Sequence, residues 1–83
     1  MVSTEERLLE ILSEVLELSR NQLKDKKETN FFKEFGVDSL LALEILARIE
    51  REFDIKIEDD EIPGLDNFKA ILLLVNSKIN KVN

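Results

Sequence analysis

The chain is 83 residues long, 43% hydrophobic and 36% charged, with two glycines and one proline, a composition that excludes a disordered chain and a breaker-rich β-sandwich. It has no cysteine and no histidine, which removes disulfides, thiolate or imidazole catalysis and the usual zinc ligands, and no metal site is expected. Twelve Lys and Arg against eighteen Asp and Glu give a net charge of −6, the wrong sign for gripping phosphate backbones or anionic lipid, so neither nucleic acid nor a membrane is expected as a partner.

The length predicts a single domain over residues 1–83 with a modest core and no deep active site, so an enzyme is not expected. Charge is unevenly placed: residues 31 to 67 hold four basic and eleven acidic side chains, whereas 68 to 83 hold three basic and none acidic. An acidic middle suits a basic partner surface. The start of the chain, charged at Glu5, Glu6, Arg7 and Glu10, does not read as a secretory leader. The longest apolar run, Ala70 to Val75, is too short for a bilayer, and the cytoplasm is the expected location.

In chain order, Ser3 and Glu6 have capping-box spacing, and Leu8, Ile11, Leu12, Val15 and Leu18 recur at helical intervals, predicting a first helix over 4–19. Residues 20–30 break the pattern and read as an exposed, charged loop pinned by Leu23. Phe31, Phe32 and Phe35 lead into Gly36, where positive φ would allow a sharp turn. Ser39 to Phe53 contains no Gly or Pro and many strong helix formers, predicting a second helix over 39–53. Its wheel gathers Ala42, Leu43, Leu46, Ile49 and Phe53 on the inner side, and Leu41, Glu44, Arg48 and Arg51 on the wet side.

Asp54 to Ile57 reads as an extended linker, and Glu58 to Glu61 as the start of one helical turn that Pro63-Gly64 ends. A last helix follows, capped by Asp66, with Phe68, Ile71, Leu72, Val75 and Ile79 facing inward and Lys78 and Lys81 near its C-terminus, where cations suit the helix dipole. The fold expected is all-α: a small four-helix bundle of three main helices plus one short helix before the last.

Little in the chain supports catalysis. Two isolated glycines make no phosphate-binding loop. Adjacent acids such as Asp59 and Asp60 point in different directions, and a calcium loop counted from Asp54 fails with Lys56 third and Asp59 where Gly belongs. Ser39 remains. Its simplest role is as N-cap of the best helix. The same place also suits an anion, because free N–H groups and the positive end of the macrodipole lie there, so a phosphate ester on this hydroxyl would be well placed. Leu41 beside it reads as exposed apolar surface, with Glu44 and Glu50 carrying acid along the same helix.

The run Phe31-Phe32-Lys33-Glu34-Phe35-Gly36-Val37-Asp38-Ser39-Leu40, followed by Leu43-Glu44-Ile45 and Glu50-Arg51-Glu52-Phe53-Asp54, resembles the acyl carrier proteins. The likeness extends without obvious insertion from the first helix to about Ile79. It implies a four-helix bundle in which Ser39 carries 4′-phosphopantetheine, attached by a phosphopantetheinyl transferase that uses coenzyme A and Mg²⁺, and whose terminal thiol holds acyl groups as thioesters. Asp38 matches the position just before the modified serine. Leu40, Glu44 and Glu50 match positions that meet partner enzymes or seat the arm, and Leu41, Ile45 and Ala47 complete the expected partner-binding set. The partners implied are an acyl-loading ligase or transferase and synthase enzymes of fatty-acid, polyketide or related lipid biosynthesis, bound transiently by a monomer.

Leu41 stands where carriers of fatty-acid synthesis usually have an acid, and Arg48 and Arg51 interrupt the acidic face, so the stretch Leu40 to Glu44 looks closer to carriers of polyketide or specialised lipid pathways. A carried chain is expected between the second and last helices, near Ala42, Leu46, Ala70 and Leu74. Two other readings fit the same residues: an unmodified helical protein–protein interaction module in which Ser39 is only a cap, and a carrier of amino-acyl groups.

Overall fold

The computed structural model describes residues 3–80. It is all-α, and no strand occurs among the described residues. The order is α1 (Thr4–Leu16), α2 (Arg20–Asp25), α3 (Phe31–Glu34), α4 (Ser39–Phe53), a 3-10 helix η1 (Asp59–Gly64) and α5 (Phe68–Ile79). Three main helices and a short one before the last are present as the sequence predicts. Two further short helices, α2 and α3, stand where a loop and a turn were expected. Lys81, expected near the end of the last helix, lies outside the described residues.

Each α-helix begins with a local side-chain cap. Ser3 Oγ accepts from Glu6 N–H at 3.1 Å, and Asn30 Oδ1 accepts from Phe32 and Lys33 N–H at 2.9 and 3.1 Å. The segment predicted as loop becomes α2 because Ser19 and Gln22 form a reciprocal capping box, with the 3.1 Å bond from Gln22 N–H to Ser19 Oγ answered by a 2.9 Å bond from Ser19 N–H to Gln22 Oε1. The last helix is capped by Asn67, not by Asp66: Asn67 Oδ1 accepts from Ala70 N–H at 2.7 Å. Asp66 instead ties the chain crosswise, its carbonyl accepting from Phe31 N–H at 2.8 Å and its carboxylate from Asn30 Nδ2 at 3.2 Å.

The predicted 4–19 helix stops at Leu16 because Glu17 turns left-handed at φ 56°, and the bond from Leu18 N–H to Ser13 O at 3.2 Å closes the end in Schellman fashion. Asp54, at φ 53°, ends α4 in the same way through Ile55 N–H to Glu50 O at 3.1 Å. The Glu58–Glu61 turn forms as a 3-10 helix with its own reciprocal cap and Pro63 inside it.

α1 is the hub and packs against α4, α2 and α5. One apolar cluster results, in which Leu8, Leu9 and Leu12 of α1 meet Leu23, Ile49, Phe68 and Val75, all fully buried, and no polar side chain is buried among the described residues. Its ordering force is removal of apolar surface from water, at about 25 cal/mol per Å². Around it the charges pair. Arg7 meets Glu52 at 2.8 Å and lies over the Phe53 ring at 4.6 Å, Arg20 meets Glu6 at 2.9 Å, and Lys27 meets Glu5 at 3.0 Å. These pairs are exposed and worth roughly 0–1 kcal/mol each, so they orient the helices more than they stabilise them.

Candidate functional site

The approach to Ser39 is built by α3 and the turn after it. Phe31 is buried, its ring 5.8 Å from that of Phe35, and its carbonyl accepts from both Phe35 and Val37 N–H at 3.0 and 3.3 Å. Reaching the second of these bonds reverses the chain at Gly36, whose φ of 66° is a left-handed conformation that side-chain-bearing residues rarely adopt. Val37 is then driven into the core and Asp38 out to solvent, where α4 begins.

Asp38, not Ser39, is the N-cap. Its extended backbone ends the loop, its Oδ1 accepts from Leu41 N–H at 2.8 Å, and its carbonyl accepts from Ala42 N–H at 2.9 Å. The role the sequence allowed for Ser39 is therefore filled one residue earlier. Ser39 is the first residue of α4, exposed, and its hydroxyl makes no hydrogen bond among the described residues. It stands at the positive end of a helix with first-turn N–H groups still open, so an anionic ester on its oxygen would be favoured there. Attachment from solvent meets no steric barrier, and the residues present fit a phosphate-linked arm.

Beyond Ser39, the outer face of α4 departs from the predicted wheel. Leu40 is 78% exposed and Leu43 is 55% exposed, whereas Ile45 is only 2% exposed and Leu41 is half-buried against the core. Placing Leu41 on the wet side, Ile45 in the partner-binding set and Leu43 on the inner side is thus corrected. The helix carries apolar residues at 40, 41, 42, 43, 45 and 46, a spread wider than one face, and packing against α1 decides which of them turn in.

The exposed stripe consists of Leu40, Leu43, Glu44 and Ala47, one helical step apart from each other, and Glu44 has no ion-pair partner among the described residues. Leu43 is the member that sequence reasoning missed, although its spacing of three from Leu40 carried the signal. Glu50 is half-buried and accepts from Ile57 N–H through Oε2 at 2.8 Å, which makes it a fastening for the linker after α4. Arg48 turns aside to meet Glu14 of α1 at 2.6 Å, so it does not dilute the acid of the exposed stripe.

An apolar cavity of about 20 Å³ is lined by Ala42, with Phe32, Ile45, Leu46, Ile62 and Ile71 among its other walls. Of the residues named for a carried chain, Ala42 and Leu46 line this cavity and Ala70 and Leu74 do not; its far side is formed by Ile62, Leu65 and Ile71. An open groove of about 330 Å³ runs outside it between α4 and η1, past Leu43, Ala47, Glu50 and Ile57. No cluster of side chains able to hold a metal ion occurs among the described residues, and no helix among them is long and apolar enough to cross a membrane.

Comparison with known proteins agrees with this geometry. A family model described as a phosphopantetheine attachment site matches residues 6–75, from α1 into α5. Polyketide-8 synthase acyl carrier protein 2 of Streptomyces avermitilis is 31% identical over 74 residues, covering 89% of this chain and 83% of its own length. An acyl carrier protein homolog of Mycoplasmopsis pulmonis is 31% identical over 68 residues, 82% of this chain and 89% of its own. The acyl carrier protein of Buchnera aphidicola is 30% identical over 82 residues, 98% of this chain and 100% of its own. With its three main helices, its short helix before the last and a family match over most of its length, this chain belongs to the acyl carrier proteins, whose phosphopantetheine attachment domain bears 4′-phosphopantetheine.

Proposed function

We propose that Ser39 is the attachment residue and that the protein shuttles thioester-bound acyl intermediates between enzymes, with no catalysis of its own. The observation that carries this reading is the exposed Ser39 hydroxyl, free of hydrogen bonds among the described residues, at the head of a helix whose capping is already done by Asp38. In the loading step a transferase removes the proton from Ser39 Oγ. That oxygen bonds to the pantetheine-bearing phosphorus of coenzyme A, the pyrophosphate linkage breaks, and 3′,5′-ADP leaves. When bound, the arm supplies a terminal thiol that holds acyl groups as thioesters. Asp38 keeps the first turn of α4 in place while this happens and adds negative charge next to the target for a basic transferase surface to meet.

Partner enzymes dock on the stripe Leu40, Leu43, Glu44 and Ala47, a small apolar contact flanked by free acid. Such contacts are weak, salt-sensitive and quickly released, as a shuttle requires. The likeness to a polyketide synthase carrier, together with Leu41 in place of an acid after Ser39-Leu40, supports service in polyketide or specialised lipid assembly.

The test is loading. Incubation of the purified protein with coenzyme A, Mg²⁺ and a broad-specificity phosphopantetheinyl transferase is expected to add one phosphopantetheinyl group by intact mass, and Ser39→Ala is expected to abolish the gain while leaving the helical circular dichroism unchanged. No mass gain in the parent protein would favour an unmodified interaction module.

A further inference from the structure

The 3-10 helix η1 is loosely seated. It buries no residue completely, and only Ile62, together with Leu65 just beyond it, packs against the edge of the core. Yet its position is consequential. Ile62 and Leu46 each line both the inner cavity and the outer groove, so these two side chains form the wall between a space of about 20 Å³ and one of about 330 Å³. Leu46 is held by α4. Ile62 is held only as firmly as η1 itself.

A contact from α5 reaches η1. Lys78 Nζ lies 2.8 Å from Glu61 Oε1, with side-chain exposures of 20% and 29%, the most sheltered of the ion pairs among the described residues. Shelter matters because a pair partly withdrawn from water is less screened than an exposed one. The same Oε1 accepts from Glu58 N–H at 2.8 Å, so Glu61 joins the local cap of η1 to the tie from α5.

We propose that the Lys78–Glu61 ion pair is a latch that sets how often η1 lifts away from α4, each lifting merging the inner cavity and the outer groove into one channel, apolar at its inner end and edged by Glu50, Lys56 and Asp59 at its mouth. Admission of a carried acyl chain through that channel rests on the carrier reading above, whereas the latch does not. Removing the ammonium loosens the tie from α5 without touching the internal cap of η1, which makes Lys78 the informative position and Glu61 the confounded one.

Native-state amide hydrogen exchange on the full unmodified chain tests this, comparing the parent with Lys78→Gln, Lys78→Arg and, as a control on an exposed pair, Arg20→Gln. In Lys78→Gln the N–H groups of Glu61 and Leu65, bonded to the Glu58 and Ile62 carbonyls at 2.9 and 3.0 Å, are expected to exchange about 2- to 5-fold faster while α1 and α4 keep their rates. Lys78→Arg is expected to keep η1 near the parent rate, Arg20→Gln to leave it unchanged, and about 1 M salt to narrow the gap between parent and Lys78→Gln. Equal η1 rates in parent and Lys78→Gln overturn the latch, as does the same acceleration throughout α1 and α4, which would report global destabilisation. A chain that fails to accept phosphopantetheine would overturn the carrier reading and leave these rates unaltered, so the two failures are distinguishable.

Discussion

Gly36 and Gly64 differ in what one methyl group would do. Neither has a neighbour within 4 Å of the position a Cβ would take, so any penalty comes from the backbone alone, and only Gly36 is left-handed. Gly36→Ala is expected to destabilise by about 1–2 kcal/mol, and Gly64→Ala to be neutral or stabilising by up to about 1 kcal/mol, both read from urea unfolding midpoints. Gly36 was legible because a glycine between an aromatic cluster and a strong helix former announces a turn. The neighbouring pair was not. Asp38 and Ser39 are both good N-cap residues, and composition cannot choose between them; the choice follows from where Val37 must bury, which fixes Asp38 in extended conformation with its carboxylate over Leu41 N–H. Asp66 and Asn67 posed the same ambiguity before α5, and there too the structure selects the other member of the pair.

At the level of the element, α4 matches its predicted span of 39–53 because long apolar periodicity without breakers leaves no competing conformation, and α5 forms where the last helix was expected, although Ile79, read as facing inward, is exposed. α2 was hidden because six residues are too few for periodicity to register, and only the Ser19–Gln22 spacing, lost among lysines, marked it. The face of α4 was partly misread for the opposite reason, an excess of apolar residues. The observed orientation makes a sharp expectation for two adjacent leucines. Leu40→Asp, on a side chain open to solvent, is expected to change stability by less than about 0.5 kcal/mol while weakening partner binding. Leu41→Asp, which would press a carboxylate against the core edge, is expected to cost about 1–3 kcal/mol. Thermal melts of the two variants side by side check this, and equal losses would show that the face has been placed wrongly.

For the molecule as a whole, one cluster centred on α1 carries the fold, so its members are not redundant. Phe68 is fully buried at the start of α5, and Phe68→Ala is expected to cost about 3–5 kcal/mol, a large part of the roughly 4–12 kcal/mol available to a domain of this size. The measurement is the denaturation midpoint, and a shift worth less than about 1 kcal/mol would mean that α5 contributes little to the core. The net charge of −6 is distributed so that exposed ion pairs fasten α1 to its neighbours while Glu44 stays uncompensated on the stripe beside Ser39. The helix-start geometry, in turn, divides labour between two adjacent residues: one carboxylate secures the scaffold, and the next side chain has no structural employment. Under the proposed assignment, the attachment point can be altered without undoing the cap that starts α4, so Ser39→Ala is expected to melt within about 0.5 kcal/mol of the parent, whereas Asp38→Ala is expected to lose about 1 kcal/mol.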